Sequence, residues 1–275
     1  MEDFNLTPQQ LLTYERDGYI IVRDFLSATE IEKLYGIATG DATLRKHAFD
    51  LNDQTGKKTK LTLWYNPGDD AYGLLTRSKR IVDAADLLLD GDTPVCHFHS
   101  KLMQKEPRVG GAWEWHQDYG YWYKNEFLFP DQMLSVMVAI TEATKENGCL
   151  QVIGGSHKIG RVEHGFAGDQ VGAAQHYVDL ALKTMPLIYV ELKPGDALFF
   201  HSNLLHRSAP NLSDSARWSL ISCYNRQANI GYNEPNGSHT VPVSVVPDEA
   251  LLQWTTGGVQ ESSGFLEKDK DEALK

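Results

Sequence analysis

The first third of the chain combines helical spacing with short extended runs. Thr7 can cap a helix and Pro8 suits its first position, so residues 7–17 predict a helix. A capping box opens a second helix over 27–38. Apolar residues recur at helical spacing in a third helix over 78–89. The other predictions in this region are strands at 19–22 and 61–65 and a polar loop over 41–60.

From residue 94 onward, short apolar runs separated by turns replace the helical pattern. They predict strands at 95–105, 134–140, 149–153, 187–192, 197–201 and 217–225. Glu146-Asn147-Gly148 has the sequence of a hairpin turn between the second and third of these strands. Residues 164–184 form an insertion that is long enough to be a lid, Gly-rich and loop-like over 164–174 and helical over 174–183.

This order of elements predicts a mainly β fold with flanking helices, a jelly roll or cupin-like barrel. We expect a single domain over residues 1–275, in which a helical N-terminal third packs on a jelly-roll core at about 94–230. The charged stretch 261–275 is expected to be disordered.

Composition and charge argue against several classes of function and location. The net charge of −11 over 275 residues disfavours nucleic-acid binding, which needs a basic face, and docking on anionic membranes. No apolar run approaches the roughly 18 residues of a membrane span, and the acidic N-terminus lacks a secretory signal. Cys96, Cys149 and Cys223 are too widely spaced for a disulfide framework and are expected to be buried thiols in a reducing compartment. We therefore expect a cytoplasmic protein with a small-molecule partner; its oligomeric state stays open.

Candidate chemistry begins at His116 and Asp118, inside the aromatic stretch 113–123. On an extended strand, positions i and i+2 share a face, so both side chains can point at one ion. One more histidine would complete a facial triad of two histidines and one carboxylate, which leaves open positions on iron and is typical of non-haem Fe(II) oxygenases. Among the ten histidines the best candidate is His206, which follows the predicted strand 197–201 and a turn.

Arg217 supplies a second part of such a site. It follows His206 by 11 residues and opens the last predicted strand. An arginine in a buried pocket can bind a carboxylate through two parallel hydrogen bonds. Ser219 shares its face and can add a hydroxyl. A 2-oxoglutarate-dependent oxygenase requires this combination, because its co-substrate binds iron through the keto-acid end and needs a cation for its distal carboxylate.

These residues lie in order with the motifs of a known family. Asp17-Gly18-Tyr19-Ile20-Ile21-Val22, His116-Gln117-Asp118 and the run from Glu146 to His157 precede His206 and Arg217. Over about residues 7–230, the chain resembles the phytanoyl-CoA dioxygenase family of Fe(II)/2-oxoglutarate oxygenases, which includes ectoine hydroxylase. Gly154 stands where the family usually has a proline.

The resemblance implies a double-stranded β-helix with a defined set of site residues. The implied iron ligands are His116, Asp118 and His206. The implied contacts of 2-oxoglutarate are Arg217, Ser219 and Gln104, with Lys60 as a poorer alternative to Gln104.

The resemblance also implies the reaction. The enzyme would consume O2 and 2-oxoglutarate, release succinate and CO2, and hydroxylate a small organic substrate, with ascorbate as an expected stimulant. Asp118 favours hydroxylation, because related halogenases leave the carboxylate position vacant for chloride.

Two other function classes stay open on the sequence. A catalytically silent relative would keep the jelly roll and only bind a ligand. A cupin-type metalloenzyme that uses no 2-oxoglutarate would employ His97 and His99, which form a second i, i+2 pair.

The substrate is open among acyl-CoA, compatible solutes, amines or phosphonates, and secondary metabolites. Candidate substrate contacts are Tyr119, Trp122 and His99, and aromatic faces in acidic surroundings would suit an amine through cation–π attraction. Arg161 and Arg207 would instead suit an anionic group. Without an obvious basic cluster for the phosphates of coenzyme A, the sequence favours a small polar molecule.

Overall fold

Two antiparallel β-sheets face each other, and helices cover the outer side of the larger sheet. The computed structural model describes residues 4–123, 129–231, 240–255 and 258–266. Its strands are β1 (Tyr19–Val22), β2 (Phe49–Asn52), β3 (Lys58–Trp64), β4 (Val95–Lys105), β5 (Trp113–His116), β6 (Met133–Ala139), β7 (Leu150–Ile153), β8 (His164–Ala167), β9 (Gln170–Ala173), β10 (Leu187–Val190), β11 (Ala197–His201), β12 (His206–Ser208) and β13 (Arg217–Arg226). Its α-helices are α1 (Pro8–Asp17), α2 (Ala28–Gly40), α3 (Ala42–Lys46), α4 (Ala71–Thr76), α5 (Lys79–Leu88), α6 (Asp118–Trp122), α7 (Gln175–Thr184) and α8 (Ala250–Gln253).

Strands that are distant in sequence become neighbours in both sheets. The larger sheet has the order β1-β11-β6-β13-β4-β3-β2 and the smaller one β10-β7-β12-β5. Every neighbouring pair in both sheets is antiparallel. This arrangement confirms the predicted fold class, a mainly β jelly roll with flanking helices.

The two faces of the larger sheet carry different apolar cores. The core between this sheet and the helices contains Leu34, Leu75 and Leu102, all fully buried. The core between the two sheets contains Met137 from the larger sheet and Val152 from the smaller one. A side chain of the larger sheet therefore points either toward the helices or into the barrel, and only the second position allows it to reach a site inside.

The predicted elements agree with the structure where the hydrophobic pattern is long. β4 and β11 have the predicted bounds, and α1, α2 and α5 begin and end within two residues of theirs. The loop predicted over 41–60 is wrong, because this stretch contains α3, β2 and the start of β3. Each of these elements buries few apolar side chains, such as Leu44 and Leu51, so no periodic pattern develops among the polar residues.

The N-terminal third is more than a helical layer packed on a core. β1 pairs with β11 at one edge of the larger sheet, and β3 pairs with β4 near the other. The predicted start of the jelly-roll core near residue 94 is therefore wrong, because strands from before and after that point complete one sheet.

Glu146-Asn147-Gly148 does not close a hairpin. β6 lies in the larger sheet and β7 in the smaller one, so the turn carries the chain from one sheet to the other. Gly148 has a φ of +81°, and a Cβ there would come within 2.2 Å of the Ala209 carbonyl oxygen. The turn and both flanking strands are predicted from the sequence, whereas the sheet that each strand joins is not.

The C-terminal stretch is packed as far as the structure describes it. The Phe265 ring stacks on His47 with the ring centroids 4.1 Å apart, and Phe265 bridges to Trp64 at the end of β3. The disorder expected from residue 261 onward is therefore wrong for residues 261–266, while residues 267–275 lie outside the described residues.

In the described part of the chain, no helix is long and apolar enough to cross a membrane. Cys96, Cys149 and Cys223 are free and buried, as the sequence predicts.

A buried ion pair between Glu30 and Arg80 joins α2 to α5, and both side chains are less than a tenth exposed. Glu30 also accepts hydrogen bonds from the Ser27 backbone N–H and hydroxyl, at 2.8 and 2.9 Å. We expect Glu30→Ala to lower the free energy of unfolding by about 3 kcal/mol, because it leaves the Arg80 charge buried without its closest partner. Urea denaturation measures this loss.

Glu32 offers the matched control for this measurement, because it lies on the exposed side of the same helix. Glu32→Ala should change the free energy of unfolding by less than about 0.5 kcal/mol. A similar effect of the two substitutions would show that the ion pair does not stabilise the contact between the helices.

Candidate metal centre and co-substrate pocket

The chain changes direction between His116 and Asp118. His116 is the last residue of β5, Gln117 is extended, and Asp118 is the first residue of α6. The prediction that both residues share one face of a continuous strand is therefore wrong in its local geometry. Their side chains still meet, because the helix begins directly at the strand end.

His206 completes the cluster from the neighbouring strand. The register of β12 against β5 sets His206 opposite His116, and the two ring centroids lie 4.0 Å apart. Asp118 Oδ1 lies 3.6 Å from His116 Nε2 and 3.8 Å from His206 Nε2. All three residues are buried. Within the described ranges, they are the one group of three or more potential metal ligands whose atoms lie within 4.8 Å of one another.

Backbone carbonyls select the tautomer of both histidines. His116 Nδ1 donates to the Glu114 carbonyl oxygen and His206 Nδ1 to that of Leu204, each at 2.8 Å. A neutral ring that donates through Nδ1 keeps the lone pair on Nε2, which is the form that binds a metal. Two imidazole nitrogens and one carboxylate oxygen therefore fit a divalent iron ion that retains open positions.

The charge states of the ligands also suit a cation. Burial by itself raises the pKa of Asp118, but Lys101 and the two histidines lower that pKa more strongly, so it ends far below its ordinary value. Burial lowers the pKa of His206 to about 3. Near neutral pH, the carboxyl group is therefore ionised and this imidazole is neutral, as metal binding requires.

Gln117, the central residue of the motif, fixes the turn between His116 and Asp118 through hydrogen bonds to later segments of the chain. Its Nε2 donates to the carbonyl oxygens of Gly160 and Asn203, and its Oε1 accepts from the Val162 backbone N–H, each at 2.8 Å. Its own backbone N–H donates to His164 Nε2 at 3.0 Å. The sequence does not reveal this role, because the partners come from two later loops.

The 164–184 insertion supports the same turn. Its first part is the β8–β9 hairpin rather than the predicted loop. His164 packs so closely on α6 that a Cβ on Gly120 would lie 2.1 Å from its Nε2. Burial lowers the pKa of His164 to about 4, so the ring is neutral near pH 7 and can accept the Gln117 N–H.

β13 carries a cationic cradle on its barrel face. Arg217 lies opposite Lys105, and Ser219 lies opposite Met103 and Ala139, so both point into the barrel. Arg217 is 3% exposed and Ser219 2%. In the part of the protein that the structure describes, Arg217 Nε and Ser219 Oγ have no hydrogen-bond partner. Buried polar atoms without a partner indicate a ligand site, and the distal carboxylate of 2-oxoglutarate would accept hydrogen bonds from both.

Lys105 places a second buried basic side chain beside Arg217. Its Nζ donates to the carbonyl oxygens of Ser208 and Ala209, at 3.2 and 2.5 Å. Burial and the Arg217 charge lower the pKa of Lys105 well below its ordinary value. Lys105 thereby links β4 to the end of β12, the strand that carries His206.

Gln104 and Lys60 point away from this cradle. They lie opposite each other in the pairing of β3 with β4, and Gln104 lies opposite Trp218. Neighbouring residues on a strand face opposite sides, so Gln104 cannot share the face of Lys105. The predicted contact of Gln104 with 2-oxoglutarate is therefore wrong, and so is the Lys60 alternative. The prediction chose the correct strand β4 but the wrong face of it.

His97 and His99 do not form the alternative cupin site. The His97 ring lies 3.1 Å from the Tyr65 carbonyl oxygen and 2.9 Å from Ser100 Oγ. His99 Nε2 lies on the barrel side, 3.4 Å from Cys223 Sγ. A register shift between β4 and β13 gives the two rings different surroundings, so they cannot share an ion.

The aromatic residues of the motif pack in the barrel interior. Tyr119 and Trp122 are buried members of the core between the sheets. The Trp122 ring contacts Phe98 and His99 edge to face, with centroids 5.0 and 5.8 Å apart. Core packing is thus observed for Tyr119 and Trp122, and their contact with a substrate stays a prediction, as it does for His99.

Two further residues beside the metal ligands were not predicted. Lys101 Nζ lies 4.0 Å from Asp118 Oδ1, and Ser135 Oγ donates to Asp118 Oδ2 at 2.6 Å. Both belong to strands that the sequence predicts, β4 and β6. Only the register shows that these two residues face the barrel.

Comparison with known families bears on the class of this site. Residues 14–219, more than half of the chain, match the model of the family described as Phytanoyl-CoA dioxygenase (PhyH). The chain belongs to the phytanoyl-CoA dioxygenase family. The predicted family is confirmed, and with it the predicted class, a dioxygenase that uses iron, 2-oxoglutarate and O2.

Relatives of this phytanoyl-CoA dioxygenase family member include enzymes named for small molecules. L-proline trans-4-hydroxylase of Streptomyces griseoviridis is 26% identical over 231 residues, which cover 78% of this chain and 85% of the relative. Ectoine dioxygenase of Sphingopyxis alaskensis is 26% identical over 247 residues, which cover 82% of this chain and 78% of the relative.

Solved structures share the fold. EctD from S. alaskensis in its apoform superposes with a TM-score of 0.70 at 23% identity, over 90% of this chain and 89% of that one. The same protein with 2-oxoglutarate and 5-hydroxyectoine gives a TM-score of 0.67 at 22% identity, over 90% of each chain. At this level of identity the likeness establishes the jelly-roll fold.

The cluster geometry predicts which substitution removes metal binding. Asp118→Ala should weaken the binding of Fe(II), or of Co(II) as its stand-in, by at least the roughly 100-fold that loss of an outer partner can cost. Equilibrium dialysis measures the bound metal. His97→Ala should bind as the unchanged protein does, since His97 lies outside the cluster. The opposite pattern would favour the cupin-type site.

Proposed function

We propose that this protein is an Fe(II)- and 2-oxoglutarate-dependent hydroxylase of a small polar molecule that carries a carboxylate, acting in the cytoplasm. The observation that carries the proposal is the presence of three features in one barrel interior. These are the metal cluster of His116, Asp118 and His206, the unpartnered atoms Arg217 Nε and Ser219 Oγ, and the largely buried Lys101.

The metal cluster would hold iron through His116 Nε2, His206 Nε2 and Asp118 Oδ1. Bound iron supplies the activation of O2, coupled to oxidative decarboxylation of 2-oxoglutarate to succinate and CO2 and to hydroxylation of the substrate. The protein contributes the fixed tautomers and the ionised carboxylate. Burial of all three ligands keeps bulk water away from the reacting groups.

Arg217 and Ser219 would bind the distal carboxylate of 2-oxoglutarate. The guanidinium can donate two parallel hydrogen bonds and the hydroxyl one more. Lys105, which lies opposite Arg217, adds a buried amine beside them. In a buried site the charge of Arg217 is weakly screened, so it attracts an anion more strongly than the same group would at the surface.

Lys101 favours an anionic substrate. Its Nζ lies 4.0 Å from Asp118 Oδ1 and 5.9 Å from the centre of the Trp113 ring, and its side chain is only 13% exposed. An amine beside Asp118 would meet this positive charge, whereas a carboxylate would be attracted to it. The aromatic residues by themselves favour an amine as substrate. Lys101 instead favours a carboxylate. L-proline and ectoine, for which two relatives are named, are small polar carboxylates.

A ligand-binding relative without catalysis is the second candidate. It would keep the jelly roll and bind a ligand but form no succinate. The intact ligand set argues against it, because a silent protein has no need for three buried residues with metal-binding tautomers.

Arg217→Met should weaken the apparent affinity for the co-substrate, seen as a KM increase on the order of 100-fold, because a buried carboxylate loses its charged partner. The unchanged protein should also prefer 2-oxoglutarate to 2-oxovalerate, which lacks the distal carboxylate, and the variant should lose this preference. Succinate formation and O2 consumption measure both effects. Arg108→Met is the control, since Arg108 forms an exposed ion pair with Asp214. An unchanged preference in Arg217→Met would exclude this arginine as the anchor.

The substrate class is tested with acid and amide pairs, such as L-proline and prolinamide, in the presence of Fe(II), ascorbate and 2-oxoglutarate. Small carboxylates should stimulate succinate formation and their amides should not. Lys101→Met should raise the KM for the active carboxylate by roughly 10- to 100-fold, since one charge-assisted hydrogen bond is lost.

Lys60→Met provides the matched control, because Lys60 lies on the adjacent strand but on the outer face of the sheet. If Lys101→Met instead raises the KM for the co-substrate, the lysine serves 2-oxoglutarate and the proposed substrate class is wrong. If no member of a broad panel elicits succinate or O2 consumption, the hydroxylase proposal itself is wrong.

A further inference from the structure

The two carboxylate oxygens of Asp118 have different surroundings. Oδ1 faces the Nε2 atoms of His116 and His206 at 3.6 and 3.8 Å. Oδ2 accepts a 2.6 Å hydrogen bond from Ser135 Oγ, which comes from β6 in the larger sheet. One oxygen is therefore directed to the metal position and the other is already bound by the protein.

Further buried side chains continue from Ser135 along the barrel wall. Ser135 Oγ lies 3.3 Å from Cys223 Sγ, and Cys223 Sγ lies 3.4 Å from His99 Nε2. The register of β13 produces this row, because Cys223 lies opposite Ser135 on β6 and opposite His99 on β4. Ser135 and Cys223 are completely buried, and His99 is 6% exposed.

The protons available on these side chains determine which group donates in each hydrogen bond of the row. The ionised Asp118 can only accept, so the single hydroxyl proton of Ser135 is donated to it. The contact between Ser135 and Cys223 then requires the thiol proton, which Cys223 donates to Ser135 Oγ. Burial raises the pKa of the Cys223 thiol to about 12, so this proton is present at neutral pH. The remaining contact requires His99 to donate through Nε2 to the sulfur.

We propose that His99, Cys223 and Ser135 are positioning residues that form a directed hydrogen-bond chain and hold Asp118 as a one-oxygen metal ligand. The inference rests on the proposed function, because it concerns the same metal centre. It adds a role for three residues that contact neither the metal position nor the Arg217 cradle.

One-oxygen ligation matters because the co-substrates need room. On a six-coordinate ion, three protein ligands would leave three positions for 2-oxoglutarate and O2. A carboxylate that rotates to bind through both oxygens would take one of them. The hydrogen bond from Ser135 opposes this rotation, and the thiol behind Ser135 orients the hydroxyl.

At its His99 end, the hydrogen-bond chain contacts aromatic side chains of the barrel. The His99 ring lies 5.8 Å from that of Trp122, edge to face, and 4.9 Å from that of Phe98. A displacement of His99 would therefore change the donor to Cys223 and, through Ser135, the hold on Asp118.

The test uses the full-length protein loaded with Co(II), whose visible absorption reports coordination number without catalysis. Ser135→Ala should lower Co(II) affinity by about 10-fold, as expected for loss of an outer partner. It should also weaken the visible band and reduce the spectral change on adding 2-oxoglutarate. Ser135→Thr, which keeps the hydroxyl, should restore both. Cys223→Ala should show a smaller loss, and Cys223→Ser, which keeps a donor, should resemble the unchanged protein.

Ser222→Ala is the matched control. Ser222 is the neighbour of Cys223, is also buried, and contacts Thr76 and Ser100 on the opposite face of the sheet. It should leave the Co(II) spectrum unchanged even if urea denaturation shows a loss of stability like that of Ser135→Ala.

An unchanged spectrum and affinity in Ser135→Ala would overturn the inference, as would an equal effect of Ser222→Ala. An unchanged result for Cys223→Ala would overturn the extension of the chain beyond Ser135. Failure of the unsubstituted protein to bind Co(II) would instead refute the proposed metal centre, so the two failures are distinguishable.

Discussion

The register between β5 and β12 is the constraint on which the metal centre depends. It sets His206 directly opposite His116 and brings their rings within 4.0 Å. A shift of one residue would turn the His206 side chain to the other face of the smaller sheet. Asp118 then needs only the short turn at Gln117 to reach the same point. The hydrogen bonds of Gln117 with Gly160, Asn203 and His164 fix that turn, so later segments of the chain support the site.

The charge inside the barrel is opposite in sign to that of the whole chain. The protein has a net charge of −11, whereas the barrel faces of β4 and β13 bear the basic side chains of Lys101, Lys105 and Arg217 on the side of Asp118. Cationic groups in an enclosed pocket are costly without counter-ions. A dianionic co-substrate and a carboxylate substrate would supply them. Net charge therefore gave no guide to the ligand, because it reports the surface rather than one enclosed pocket.

Several residues of the candidate site could be selected from the sequence for chemical reasons. His116, Asp118 and His206 are residue types that bind iron, and Arg217 with Ser219 suits a carboxylate on one strand face. The structure brings the first three together and turns the other two into the barrel. The prediction for Gln104 was wrong because it assigned this residue to the wrong face of β4. The bounds of β4 were predicted correctly, but only its pairing with a neighbouring strand shows which alternate side chains point into the barrel. Lys101 went unnoticed for the same reason.

The sequence by itself determined the helix starts, the long strands, the fold class and the chemistry of the metal ligands, because these depend on local periodicity, capping and residue type. Only the tertiary structure decided which strands are neighbours, which face of β4 lines the barrel, and that Glu146-Asn147-Gly148 connects two sheets. It also decided which oxygen of Asp118 faces the metal position, through a serine that lies 17 residues away on another strand. Hydrogen bonds between distant strands set these features, and no local pattern encodes their register.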